Sequence, residues 1–344
     1  MYLRLPQHPF WASSRWGKVA DSTGRVQVGF RSALRAASTP LPHNRTLPGS
    51  SGCDTLIPGA IELTYNRVVG WEFGVARHPA AGRDIRGQLV VLGSGTSVGI
   101  PVVGCACAAC TSSDPRDTRS RASVIFGLPE GNLLVDTSPD LRAQLLREKI
   151  ADVHAVVYTH EHADHLLGLD DLRVFQFRLG GPVPLYCEPR VEERIRRIFD
   201  YAFDSSQPTH LGAAPLLEFH RLDEQPLHLL GAEVIPLRLE HGPRFRVLGF
   251  RIGNVAYCTD TNYIPPETLA RMHGLDVLIL DALRHKPHPT HFSLEEAIQV
   301  ARTLAPRRTY FTHIACSMGR HAEVEAQLPP GMALAYDGLT LPLS

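Results

Sequence analysis

Three features of residues 87–344 predict an α/β protein. Short β-rich runs alternate with amphipathic segments, Gly/Pro turns fall where the period changes, and polar residues stand where the strand patterns end. Each half runs strands first and helix after, the pattern of a four-layer αββα sandwich. On patterning alone, a doubly wound sheet satisfies the same alternation.

In chain order, QLVVLG (88–93), ASVIF (122–126), NLLVD (132–136) and HAVVYT (154–159) are strand candidates, spaced closely enough to be neighbours in one sheet. DLRAQLLREK (140–149) and LLGLDDLRVFQFR (166–178) place apolar residues three and four apart, so each predicts a helix with one face on a sheet. Strands VPLYC (183–187), LGAEVIPLRL (230–239), RVLGFRI (246–252), NVAYCT (254–259), DVLILD (276–281) and RRTYFTH (307–313) follow. Between them lie helices PPETLARMH (265–273) and SLEEAIQVARTLA (293–305). No fixed-length repeat is present.

The 344 residues suffice for a large core, and 44% hydrophobic with 20% charged residues describes a soluble globular chain. No run of about 18 apolar residues spans a bilayer, so an integral helical membrane protein is excluded and no membrane partner is expected. The formal net charge is zero, which gives no reason to expect nucleic acid as a partner. Charge is nonetheless uneven: residues 1–86 carry 11 Arg/Lys against 5 Asp/Glu, and residues 87–344 carry 24 against 30. The basic leader is rich in Arg, Ser, Pro and Gly, lacks an apolar secretory core, and is expected to hold little structure. It reads either as a transit-like segment or, preferably, as an upstream stretch translated from an early start. With no export signal the protein is expected in the cytoplasm with reduced thiols.

The strongest local signal is YTHEHADHLLGL, where the strand ending at Thr159 runs into His160, His162, Asp164 and His165. Imidazole and carboxylate are ligands that divalent transition metals accept, and four within six residues exceed what one ion needs from one loop. Two ions are expected. Asp136, ending NLLVD, and Asp281, ending VLILD, are candidates to orient ligand histidines.

This loop resembles the HxHxDH motif of the metallo-β-lactamase superfamily at all four positions, and the resemblance extends over about residues 88–344. It implies the αββα fold and three further ligands at strand ends, for which His241, Asp260 and His313 stand in the right order. It also implies the division of labour: His160, His162 and His241 on one ion, Asp164, His165 and His313 on the other, and Asp260 bridging. Asp164 is taken as catalytic as well as a ligand. Two divalent ions, manganese or zinc, would lower the pKa of water and steady the oxygens of an in-line displacement.

In HPTHFSLEEA, His291 precedes a helix start at which Ser293 and Glu296 form a capping-box pattern. In phosphodiesterase branches of the superfamily a histidine here gives a proton to the leaving alkoxide, so the resemblance makes His291 catalytic. His285 and His288 are weaker candidates in the same loop. Arg173, Arg178 and Arg190 are candidates for meeting a terminal phosphate.

GCACAAC places Cys105, Cys107 and Cys110 within six residues. Reducing conditions disfavour a disulfide, and the context lacks the thioredoxin-like setting of a redox pair, which leaves a metal grip. The motif is similar to the Gly-Cys-x-Cys-x-x-Cys of the PhnP-type phosphodiesterases. These place a zinc-binding histidine three residues after the last active-site histidine, where this chain has Cys316. Four thiolates make an equally good structural zinc site. Cys187 and Cys258 lie within strands and are expected to be buried and inert, and Cys53 belongs to the leader.

The resemblance implies a phosphodiesterase acting on a small diester, like the enzyme that opens 5-phosphoribosyl 1,2-cyclic phosphate, and a homodimer as the oligomer. The alternatives are a tRNase Z-like RNA endonuclease, an acyl (thioester or lactone) hydrolase of the same fold, and a non-catalytic metal-binding module.

Overall fold

The computed structural model describes residues 82–204, 210 and 212–343. Of the leader expected over residues 1–86, residues 1–81, Cys53 among them, lie outside the described residues. Residues 82–86 pack on the body. Arg83 N–H donates to the Lys149 carbonyl at 2.8 Å, Ile85 is 1% exposed, and Arg86 bridges to Gly127.

Two seven-stranded sheets form the centre. The first holds β1 (Gln88–Gly93), β2 (Ser123–Leu128), β3 (Gly131–Val135), β4 (Ala155–Val157), β5 (Val183–Cys187), β6 (Leu217–Arg221) and β14 (Thr340–Pro342), in the order β14-β1-β2-β3-β4-β5-β6. The second holds β7 (Leu227–Leu229), β8 (Ala232–His241), β9 (Phe245–Ile252), β10 (Val255–Cys258), β11 (Val277–Asp281), β12 (Arg308–Thr312) and β13 (Met332–Leu334), in the order β13-β12-β11-β10-β9-β8-β7. In each sheet one half is parallel, β3 to β6 and β10 to β13, so these strands end together along one rim.

Side-chain alternation within the strands builds the layers. Leu89, Val91, Phe126 and Leu133 of the first sheet meet Val234, Phe250, Tyr257 and Ile279 of the second. The residues between them, Val90, Leu92, Ile125 and Leu134, face outward to helices α1 (Leu141–Arg147), α3 (Phe175–Leu179) and α4 (Pro189–Ile198) through Leu141, Leu145, Phe175, Val191 and Ile195. On the far side of the second sheet, Leu237, Leu278 and Phe311 pack against Leu294, Ala297 and Ile298 of α6 (Leu294–Leu304). This is the αββα sandwich. Both faces of each sheet are covered, so the strands read as nearly continuous apolar runs and their pattern alone left the doubly wound arrangement open.

One predicted helix differs. Residues 166–178 are not continuous: α2 (Ala163–Leu166) is followed by a 3₁₀ stretch, Leu169–Val174, and then α3. At the break Gly168 donates its N–H to the Thr137 carbonyl at 3.0 Å, and a Cβ there would come within 1.9 Å of the Ser138 carbonyl oxygen. Backbone contact with the loop after β3 therefore requires glycine and breaks the helical path. The remaining helices are α5 (Pro266–Arg271) and α7 (His321–Glu325).

Candidate metal centre

Strands of both sheets deliver the polar residues to one rim. The loop after β4 carries His160–His165, β8 ends on His241, β11 ends on Asp281, and Asp260 and His313 lie just beyond β10 and β12. Asp136, Asp260 and His313 have φ of 64°, 54° and 58°, a left-handed conformation that non-glycine residues hold only when their surroundings enforce it. Such strain concentrates where side chains must converge, and the rim is such a place.

The predicted ligands fall into two groups whose ligand atoms lie within 4.8 Å of one another: His160, His162 and His241, and Asp164, His165, Asp260 and His313. Asp260 also groups with His241 and His291, so its carboxylate reaches both halves. Hydrogen bonds define which ring nitrogen faces inward. His165 Nδ1 donates to Asp136 Oδ2 at 2.7 Å, and His241 Nδ1 donates to the Thr290 carbonyl at 2.8 Å. Thr159 Oγ1 gives its proton to Asp136 Oδ2 at 2.8 Å and so accepts from His160 Nδ1 at 2.9 Å. In His160 and His241 Nε2 is left as the inward lone pair, whereas His165 Nε2 faces Asp164 Oδ2 and Asp260 Oδ2, each at 3.3 Å. His160 Nε2 lies 2.9 Å from His162 Nδ1.

These residues fit divalent ions. His165 Nε2 and both ring nitrogens of His313 are buried without a hydrogen-bond partner among the described residues, which is costly unless something else satisfies them. Burial holds the pKa values of His160, His162 and His241 down, leaving neutral rings with lone pairs to give. In the second group burial opposes charge, yet the carboxylates prevail. Asp260, Asp164 and Asp136 hold His165 well above the ordinary histidine value, and Asp260, Asp164 and Asp281 raise His313 to about 9. A divalent cation held by these residues would take the place of those protons.

His291 stands beside this centre, its ring 4.7 Å from those of His241 and His313. Its Nδ1 donates to Asp281 Oδ2 at 2.6 Å, so Asp281 orients His291 whereas Asp136 orients His165. Ser293 and Glu296 close the predicted capping box at the start of α6. His285 is turned away, donating Nε2 to the Met318 carbonyl at 2.9 Å, whereas the His288 ring lies 5.2 Å from that of His291. Arg173 pairs with Asp170 and Arg178 with Asp152. Of the three candidate arginines, Arg190 alone pairs with the metal loop, reaching Glu161 at 3.4 Å.

Sequence reasoning missed Thr159, the Thr290 carbonyl and Phe245, whose ring packs edge-on against His162 at 4.8 Å. No motif marks a backbone carbonyl. Gly242 carried a signal, for with φ +70° a Cβ there would lie 2.6 Å from Thr290 Cγ2, so only glycine lets the 288–290 loop reach His241.

The sulfurs of Cys105, Cys107, Cys110 and Cys316 also lie within 4.8 Å of one another. Cys107, which accepts from the Cys110 backbone and contacts Cys105, has a thiol pKa lowered to about 7. Burial raises Cys110 and takes Cys316 to about 12. Cys187 and Cys258 are buried, each pushed up to about 12 by burial.

The beta-lactamase superfamily domain matches residues 131–314, more than half of the chain. Two sheets between helical layers with a rim of imidazoles and carboxylates are the architecture of that class, and the chain belongs to the metallo-β-lactamase superfamily, in its PhnP-type branch. A solved structure of a new diphosphatase from the PhnP family is 46% identical with a TM-score of 0.69, over 74% of this chain and 96% of that one. Zinc-bound PqqB from Methylobacterium extorquens (23% identity, TM-score 0.60, 74% of this chain and 100% of that one) shares the fold. So does the short form of human tRNase Z (17%, 0.55, 75% and 99%). Among curated proteins, the Porphyromonas gingivalis protein named octanoyltransferase is 36% identical over 255 residues, 73% of this chain and 51% of that protein. Coenzyme PQQ synthesis protein B of Methylorubrum populi is 34% identical over 129 residues, 33% of this chain and 42% of that protein. The chain thus spans about half the length of these curated relatives.

Proposed function

We propose that the protein is a metal-dependent phosphodiesterase acting on a small diester of the ribose cyclic phosphate kind. The observation that carries this reading is the Asp281–His291 pair, 2.6 Å apart and facing the cluster of ligating side chains. One divalent ion, zinc or manganese, would be held by His160 Nε2, His162 Nδ1 and His241 Nε2. A second would be held by Asp164, His165 Nε2 and His313, with Asp260 common to both. When bound, such ions acidify water and neutralise charge on phosphoryl oxygens. Asp281 stabilises the protonated His291 ring, whose Nε2 gives its proton to the departing oxygen, the step that an alkoxide leaving group needs most. Asp164, in contact with His165 Nε2 at 3.3 Å, adds negative charge to the second group of ligating side chains. Cys105, Cys107, Cys110 and Cys316 would take a structural zinc.

The PhnP-family neighbour is named a diphosphatase, and the octanoyltransferase match favours a second reading, acyl chemistry. Purified protein with added Mn²⁺ or Zn²⁺ is assayed on bis(p-nitrophenyl) phosphate, a ribose 2′,3′-cyclic phosphate, a nucleoside diphosphate and an octanoyl thioester. Diester turnover that collapses in His291→Ala supports the proposal. Thioester turnover without diester turnover overturns it in favour of the second reading. Diphosphate turnover alone, indifferent to His291→Ala, overturns the alkoxide-protonating role.

A further inference from the structure

The loop between β11 and α6 is fastened to the site at several points. His241 Nδ1 donates to the Thr290 carbonyl at 2.8 Å. Asn262 Nδ2 donates to the Pro289 carbonyl at 3.2 Å, while Asn262 Oδ1 accepts the Gly242 N–H at 2.6 Å. His288 is held on this loop, and its Nδ1 faces the backbone N–H of Thr290 at 3.3 Å and Thr290 Oγ1 at 3.2 Å. A backbone N–H can only donate, so Nδ1 carries the lone pair and the ring proton sits on Nε2. His291 is 8% exposed and His288 half-buried, so His288 is the more solvent-accessible of two rings whose centroids lie 5.2 Å apart. Nothing in the proposed chemistry uses it.

We infer that His288 is a specificity residue that donates a hydrogen bond from Nε2 to a hydroxyl or phosphoryl oxygen on the leaving-group side of the substrate. This selects diesters whose leaving alkoxide is a polyol such as a ribose. The inference rests on the phosphodiesterase reading and deepens it. Three features favour it: the tautomer is set by a neighbour that cannot reverse, the loop is hydrogen-bonded to His241 and Asn262, and the ring is adjacent to His291. Burial and the nearby His291 and Arg284 push the ring's pKa down, in keeping with a neutral donor. An apolar leaving group offers Nε2–H no acceptor near the reacting oxygen, whereas a ribose places a second oxygen one carbon away.

The test compares wild type, His288→Ala and His288→Gln, the last retaining an N–H at the position of Nε2. Substrates are a ribose 2′,3′-cyclic phosphate and bis(p-nitrophenyl) phosphate. His288→Ala is expected to raise KM for the cyclic phosphate about tenfold, to leave bis(p-nitrophenyl) phosphate nearly unchanged, and to be rescued largely by His288→Gln. Equal losses on both substrates, or on neither, overturn the assignment. Binding of ribose 5-phosphate, followed at the His288 Hε1 resonance in the metal-loaded enzyme, separates this inference from the reading beneath it. A shift in an enzyme inactive on diesters removes the phosphodiesterase reading and leaves the contact standing, whereas no shift in an active enzyme removes the contact alone.

Discussion

Asp281 Oδ2 accepts from two donors, His291 Nδ1 at 2.6 Å and the backbone N–H of Thr261 at 2.8 Å. Thr261 follows Asp260, the carboxylate shared by both ligand groups. The proposed proton donor, His291, and the segment carrying Asp260 are thus referenced to a single oxygen. Asp281→Asn leaves the volume intact but disturbs the tautomer of His291. The rate on diesters with alkoxide leaving groups is expected to fall about 10²-fold or more, with a much smaller loss on p-nitrophenyl esters. The dependence of kcat on leaving-group pKa measures this, and an unaltered slope would count against the pairing.

Asp136 ties the first ligand group to the second. It accepts from Thr159 N and Oγ1, each at 2.8 Å, and from His165 Nδ1 at 2.7 Å. Asn tolerates the left-handed backbone at this position, so Asp136→Asn should fold. Metal affinity at the Asp164–His165–His313 group is expected to drop about 10- to 100-fold, read by competition with a chromogenic chelator. Undiminished affinity would mean that His165 needs no such partner.

Cys316 follows His313 by three residues and shares its cluster with the 105–110 loop, so a zinc bound there would join that loop to the β12 end. Cys316→Ser should release one zinc equivalent and lower Tm, while Cys316→His should retain both, since three thiolates and an imidazole also suit zinc. Metal analysis with calorimetry decides. Unchanged zinc and Tm in the serine variant would remove the brace.

His321 is 1% exposed, with Arg119 Nη2 3.0 Å from its Nδ1. An arginine only donates, so the ring is neutral. Burial first, and Arg119 second, hold its pKa down from 6.5 to about 4. As pH falls below 6.5 the unfolded chain takes up this proton and the folded one does not, so stability declines from pH 6.5 to about 4 and then levels. The whole difference amounts to about 3 kcal/mol. His321→Gln should flatten that part of the curve, measured as urea midpoints at pH 7 and 4.5. An equally steep decline in the variant assigns it to other groups.

Ile85 lies in the core beneath α1, two residues before the expected start of the body at residue 87. Relative to a chain beginning at Gly82, one beginning at Gly87 is expected to forfeit about 1.5–3 kcal/mol of burial, read as a lower Tm. Equal thermal stability of the two would show that Ile85 contributes little.

Much of the site was legible because its residues cluster along the chain or at strand ends. The HxHxDH loop supplies four ligand candidates in six residues, and His241, Asp260 and His313 each close a strand pattern. Short-range spacing carries that information, as it does for the Ser293–Glu296 capping box and the cysteine loop. The broken helix at Gly168 was not legible, because the contact that requires it comes from Ser138, thirty positions earlier.

By itself, then, the sequence determined the α/β class, the chemistry of the ligands and the order in which they appear. Only the tertiary structure decided that the strands form two sheets and not one. It also assigned Asp281 to His291 and Asp136 to His165, turned His285 away while holding the His288 ring beside His291, and paired Arg190 alone among three arginines with Glu161 of the 160–165 loop. The physical reason is range. Hydrophobic period and turn chemistry act over a few residues, whereas strand pairing and the direction of a ring's lone pair depend on partners tens of residues distant, known only once the chain has closed on itself.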